Sequence, residues 1–285
     1  MSPKTRSIGA ALAAVAVSAL GAGPAAADTT VVADATAQNV TAYGTTAAWS
    51  RKAADGYHLV VARGKVVADA PVPVSSRPYD PDLGPTKANG RTIVYARGGD
   101  LYRYDVGAPA EQKLTALSTK ANEIAPSFFK GTIAFSRTNG KSPGLYLLRP
   151  GHEVTRLFRT IAYETDLNET RVIGRFGTRD TSIIRILNYT ADDVNIAARA
   201  KAGQRMTSPT LTRFNGLWLR AGATGSAVEQ VGVNAHRGLG VREGLRMLPA
   251  GSSSLASYTI PTLYTTATGL QLIAPKLRFT PPNGG

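Results

Sequence analysis

Few residues in this chain are equipped to do chemistry, and they are thinly spread. There is no cysteine, so no disulfide, thiolate nucleophile or thiolate metal site is available. The three histidines, His58, His152 and His236, stand far apart, which argues against a zinc centre. No G-x-S-x-G elbow occurs, so acyl transfer of the Ser-His-Asp type has no nucleophile to build on. The carboxylates fall into three groups, Asp80/Asp82, Glu164/Asp166/Glu169 and Asp192/Asp193. None has the spacing of a calcium loop, and Asp80-Pro81-Asp82 reads first as a turn former. Asp166 and Glu169 are the pair that could serve glycoside cleavage. The sequence assigns no catalytic residue, no metal ligand and no cofactor.

The most regular polar feature is a column of arginines. Trp49-Ser50-Arg51, Tyr95-Ala96-Arg97, Phe135-Ser136-Arg137 and Trp218-Leu219-Arg220 repeat the pattern aromatic-x-Arg, with Ile173-Gly174-Arg175 as a degenerate copy. In a strand, the aromatic and the arginine two residues later share one face. Arg51, Arg97, Arg137, Arg175 and Arg220 are therefore candidates for binding a carboxylate- or phosphate-bearing ligand. The alternative is structural: each guanidinium stacks on an aromatic ring and pairs with a neighbouring acid or carbonyl.

The elements that position these residues read as short strands. Runs rich in Val, Ile, Thr and Tyr alternate with Gly, Pro, Asn and Asp. The stretch Arg91–Leu114 recurs as Gly131–Leu157. After each column arginine comes a polar turn and a second strand: Tyr57–Ala62, Asp100–Val106, Gly144–Arg149, Ser182–Tyr189 and Ala227–Val233. A sixth unit lacks the arginine but keeps the rhythm, as Ala256–Thr262, Gly269–Ala274 and Leu277–Thr280. A repeat of about forty residues with four short strands is the pattern of a propeller blade. The fold class expected is all-β, a single β-propeller of six four-stranded blades over residues 28–285; an antiparallel sandwich is the alternative. Thr29–Ala35 has strand character and no blade of its own, and is expected to complete blade six.

The units resemble the TolB-type, WD40-like propeller repeat. Ala125-Pro126-Ser127-Phe128, Ile133–Arg137, Leu145-Tyr146 and Thr155-Arg156-Leu157 carry the resemblance in one unit; Ile93–Arg97, Leu101–Asp105 and Lys113-Leu114-Thr115 carry it in another. It is good over 80–159 and weak elsewhere, and the usual Ser-Pro-Asp-Gly turn is missing. The chain is also similar to secreted actinobacterial propeller proteins. The resemblance implies a non-catalytic binding or scaffold module that engages a protein partner or an anionic envelope ligand at its axial surface. In prolyl-oligopeptidase-type enzymes such a propeller precedes a catalytic domain, for which the chain has no room. The alternative function is a hydrolase or lyase acting on an anionic glycan, although the Asp-box turns of sialidases are absent.

The amino terminus reads as a secretory signal peptide. Lys4 and Arg6 precede the apolar run Ile8–Ala22, and Ala25-Ala26-Ala27 offers a cleavage site. A secreted product beginning at Asp28 is expected, with no transmembrane span. Losing Lys4 and Arg6 lowers the net charge from +14 to +12. Beyond Asp193 the only acids are Glu229 and Glu243. Arg237, Arg242 and Arg246 in this stretch are candidates for a basic patch that attracts polyanions. Specific nucleic-acid binding is not expected of an exported monomer.

Overall fold

The computed structural model describes residues 29–178, 181–191, 193–223, 225–234, 238–249, 252–257, 262–266 and 268–272. They form six antiparallel sheets of four strands each, with no helix among the described residues.

Blade 1 contains β2 (Ala37–Tyr43), β3 (Thr46–Ala53), β4 (Gly56–Arg63) and β5 (Val66–Asp69). Blade 2 contains β6 (Asp82–Pro85), β7 (Arg91–Arg97), β8 (Asp100–Asp105) and β9 (Gln112–Lys113). Blade 3 contains β10 (Glu123–Phe129), β11 (Thr132–Arg137), β12 (Gly144–Leu148) and β13 (Thr155–Phe158). Blade 4 contains β14 (Ala162–Leu167), β15 (Arg171–Phe176), β16 (Ile183–Asn188) and β17 (Asp193–Arg199). Blade 5 contains β18 (Arg205–Leu211), β19 (Asn215–Gly222), β20 (Gly225–Asn234) and β21 (Gly238–Leu248). Blade 6 contains β22 (Leu255–Ser257), β23 (Thr262–Thr266) and β24 (Gly269–Leu272). Its fourth strand is β1 (Thr29–Val32), which pairs antiparallel with β24, Thr29 opposite Leu272. The terminal strand thus takes the place expected of it, and the ring closes through a blade built from both ends of the described chain.

The sixth unit differs from the sequence reading in one respect. Ala256–Thr262 is not one strand. The chain forms a short inner strand, β22, and the next strand begins at Thr262, with Leu255 opposite Tyr264. Tyr264 is therefore the fifth aromatic of the column, where blade 4 has Ile173, and Thr266 stands where the other blades carry arginine. The expected strand Leu277–Thr280 lies outside the described residues.

The hydrophobic core is divided into six wedges, one at each blade interface. The second strand of each blade is buried on both faces, because a blade lies against each side of it. The column aromatics Trp49, Tyr95, Phe135 and Trp218 have no exposed surface. Trp49 packs towards Leu263 and Leu270 of blade 6, and Tyr95 lies with Leu59 of blade 1. Phe135 meets Val94 and Leu101, Ala134 meets Ala162, Trp218 meets Ile173, and Tyr264 meets Leu217. Outer strands such as β5 and β9 are exposed along their length, so burial falls from axis to rim.

Candidate functional site

The inner strands of the blades form the wall of a central cavity of about 500 Å³. Local sequence shapes that wall. Pro126 and Pro209 sit inside the first strands of their blades, at breaks in the pairing register between Ile124 and Ser127 and between Thr207 and Thr210. Proline has no N–H to give a ladder, so an inner strand tolerates it at a bulge. Immediately before these prolines, Ala125 and Ser208 take positive φ, as does Asn39 in the matching position of blade 1. Asp80-Pro81 and Glu164-Thr165 fill the corresponding places in blades 2 and 4.

At one matching position of each blade's inner segment is a polar side chain: Thr41, Asp82, Ser127, Asp166, Thr210 and Ser254. These side chains stitch the inner strands together. Thr41 Oγ1 accepts from Leu83 N at 2.9 Å, and Asp82 Oδ2 accepts from Phe128 N at 2.6 Å. Thr165 Oγ1 donates to Ser127 Oγ at 3.1 Å. Asp166 Oδ2 accepts from Leu211 N at 2.6 Å and Thr210 Oγ1 at 2.7 Å, and Ser254 Oγ accepts from Val40 N at 3.3 Å. An inner strand has no sheet neighbour on its axial side, so side chains satisfy its outward N–H groups.

Four carboxylates of the cavity wall come from blades 2 and 4: Asp80, Asp82, Glu164 and Asp166. All four are held above the ordinary carboxylate range, chiefly by burial. Asp80 is exposed to the cavity yet has protein on every side, and is pushed up to about 7, with Glu164 adding to the effect and Arg175 opposing it. Burial pushes Asp82 well up, and the charges of Asp166 and Asp80 raise it further. Asp166 is pushed up to about 6 against three hydrogen bonds that favour its ionised form. Glu164 is raised by burial despite Arg175 and a 2.5 Å bond from Ser208 N. Asp80 has no hydrogen bond or ion pair to another described residue. Arg77 and Arg205 are the cations of the lining, and Tyr163, 43% exposed, shows its ring there.

The sequence groups these acids within each blade but does not bring the blades together. Glu169, paired with Asp166 in the sequence reading, lies outside the cavity lining and meets Lys130 at 2.7 Å. The chain has left the strand by this point, since Glu169 falls in the turn beyond β14. Asp166 instead acts on Asp82, whose carboxyl its charge pushes further up. The prolines of Asp80-Pro81-Asp82, Ala125-Pro126-Ser127 and Ser208-Pro209-Thr210, set in register, are the signal that would have aligned the acceptor ring.

The five column arginines all lie outside this lining, and each is paired with a carboxylate. Arg51 meets Asp69 at 2.5 Å, and Arg97 forks onto Glu111, which also receives the Tyr95 hydroxyl. Arg137 Nε lies 3.3 Å from Glu123, and Arg175 Nε lies 3.0 Å from Glu164 without aiming its N–H at the oxygen. Arg220 forks onto Glu229 at 2.6 and 2.7 Å, and Trp218 Nε1 donates to the same carboxylate at 2.7 Å. Arg97 and Arg137 also stack on Tyr102 and Tyr146, 4.3 and 4.5 Å from the ring centroids. Of the basic-patch candidates, Arg237 lies outside the described residues. Arg242 and Arg246 sit on β21, opposite Val231 and Val228. No group of three metal-ligating side chains occurs among the described residues.

Six four-stranded blades closed by a shared blade, with a polar axial cavity, define a six-bladed β-propeller. The fold is TolB-like. The structure of TolB from Acinetobacter baumannii superposes with a TM-score of 0.56 at 15% identity, covering 81% of this chain and 64% of that one. A chain of a nidogen/laminin complex gives 0.56 at 11% identity, covering 80% of this chain and 84% of that one. A puromycin-hydrolysing peptidase of Mycobacterium tuberculosis gives 0.50 at 12% identity, covering 85% of this chain and 45% of that one. At such identities the likeness is one of fold, and the chain spans under two-thirds of the TolB and peptidase chains. No protein-family model matches the sequence, and no curated protein does. Among the described residues, no helix is long and apolar enough to cross a membrane.

Proposed function

We propose that this chain is an exported, non-catalytic binding propeller that receives a segment of a protein partner in its axial cavity. The observation that carries this reading is how the wall carboxylates are used. Asp82, Glu164 and Asp166 accept backbone N–H bonds from neighbouring blades, so they act as fixed parts of the wall. A general acid or base instead needs a carboxyl that can exchange its proton with a substrate. Four carboxylates against two arginines favour a cation-bearing segment, such as a lysine- or arginine-containing loop. In this reading an anionic envelope polymer is left to the outer surface, where Arg199, Lys201 and Arg213 are exposed. Export would deliver a chain beginning at Asp28, which the intact mass of secreted material checks.

Calorimetric titration with a Lys-Gly octapeptide tests the cavity. Binding should occur near pH 8 and fall as pH drops through about 7 and 6, the values to which Asp80 and Asp166 are raised. It should weaken in Asp80→Asn. Binding of an acidic octapeptide instead, or equal binding in the variant, would defeat the proposal.

One observation favours a hydrolase or lyase as the second reading: Asp80 and Asp166 are poised near neutral pH, where acid/base catalysis works best. Turnover of an anionic oligosaccharide that vanishes in Asp166→Asn would establish it.

A further inference from the structure

The two faces of the ring differ, and the face opposite the arginine column has a character that the axial cavity does not explain. In an antiparallel meander, the turns joining first to second strands and third to fourth strands emerge on one face of a propeller. The column arginines, at the ends of second strands, belong to the other face. Among the described residues, the two most exposed large apolar side chains both lie on the first face. Val66, 69% exposed, follows the Gly64-Lys65 turn of blade 1, and Phe214, 64% exposed, tips the β18–β19 turn of blade 5.

Each apolar tip is flanked by cations. Arg63 and Lys65 bracket the blade 1 turn, and Arg213 lies over the Phe214 ring at 5.3 Å. Lys87 occupies the matching inner turn of blade 2. None of these four cations has a carboxylate partner among the described residues. On the same face, Asp105 and Glu169 are neutralised by Arg103 and Lys130, leaving Glu153 and Asp193 as the remaining acids among the described residues of these turns.

We propose that this turn face docks on an anionic lipid surface, with Val66 and Phe214 entering the headgroup layer and Arg63, Lys65, Lys87 and Arg213 meeting lipid phosphates. A soluble polyanion would satisfy the cations but give the apolar tips nothing to bury against. A bilayer satisfies both, through apolar insertion and attraction of basic groups near its surface. The tips sit on turns of different blades, so the face touches at several points and fixes the propeller axis relative to the membrane.

Vesicle co-sedimentation tests this, using phosphatidylcholine vesicles with and without phosphatidylglycerol. It should be run on the full chain and on the form beginning at Asp28, because residues 8–22 are themselves apolar; variants are compared within each form. Anionic vesicles should retain the protein at low salt and neutral ones should not. Phe214→Ser with Val66→Ser, and separately Arg213→Glu with Lys65→Glu, should each lower partition by at least about tenfold. All four residues are exposed, and unchanged circular dichroism would show that the variants fold. Absence of binding to anionic vesicles overturns the proposal. So does binding that the Phe214/Val66 variant keeps, since the face would then be a polymer site read by charge alone.

Discussion

At the scale of single residues, the column shows how one carboxylate can satisfy two neighbours. Glu229, 1% exposed, accepts from Trp218 and from both arms of Arg220. Glu229→Gln leaves a guanidinium in the wedge without its counter-charge, and should lower stability by about 3–5 kcal/mol. Asp69 holds Arg51 in solvent, with both side chains more than a third exposed, so Asp69→Asn should cost under about 1 kcal/mol. Urea midpoints distinguish the two; equal losses would show that burial does not set the value of the pair. The cavity acids make a further prediction. Asp80, Asp82, Glu164 and Asp166 are all raised in the folded state, so the native protein binds more protons than the unfolded chain across the interval between. The stability they contribute is full below about pH 4 and is lost as pH rises through the folded values. The urea midpoint should therefore fall from about pH 5 to about pH 8, and Asp166→Asn should flatten the slope up to about pH 7. A midpoint that rises over that range would contradict the assignment.

At the scale of elements, strand contacts are set by where side chains are absent. A Cβ on Gly269 would lie 2.1 Å from Val32 O, so β24 can receive β1 only with glycine there, at φ +128°. Gly269→Ala should cost at least about 1–3 kcal/mol, and deletion of Thr29–Val32 should add little to it. Additive losses would mean that the clash is relieved without releasing β1. The blades were legible in the sequence because aromatic-x-Arg marks the second strand of each, buried on both faces and tied to an acid. Blade six was legible only in outline, since Thr266 replaces the arginine and hides Tyr264 from the pattern. The cavity was not legible. Asp82 and Asp166 belong to blades two apart, and their approach depends on ring curvature, which no local spacing encodes. Glu169 looked like a partner for Asp166 because it is near in sequence, but the turn after β14 carries it away to Lys130.

At the scale of the whole molecule, three charge zones can be told apart, the first two joined by the Arg175–Glu164 pair. An acid-walled cavity lies on the axis, paired arginines occupy one face, and unpaired cations with apolar tips occupy the other. A net charge of +14 therefore describes no single surface, and a cationic segment and an anionic bilayer could be engaged at once without competing. The shared sixth blade also has a kinetic meaning. Thr30 bonds Gln271, 241 residues along the chain, whereas most other ladders join strands adjacent in sequence. A chain emerging amino-terminus first can complete blades 1 to 5 in order while β1 still waits for its mate. Until the last hairpin arrives the molecule is an open arc, with the inner wedge of blade 1 bare to solvent. Ring closure is thus a single late event of very high sequence separation, and the chain is most exposed to aggregation and proteolysis just before it.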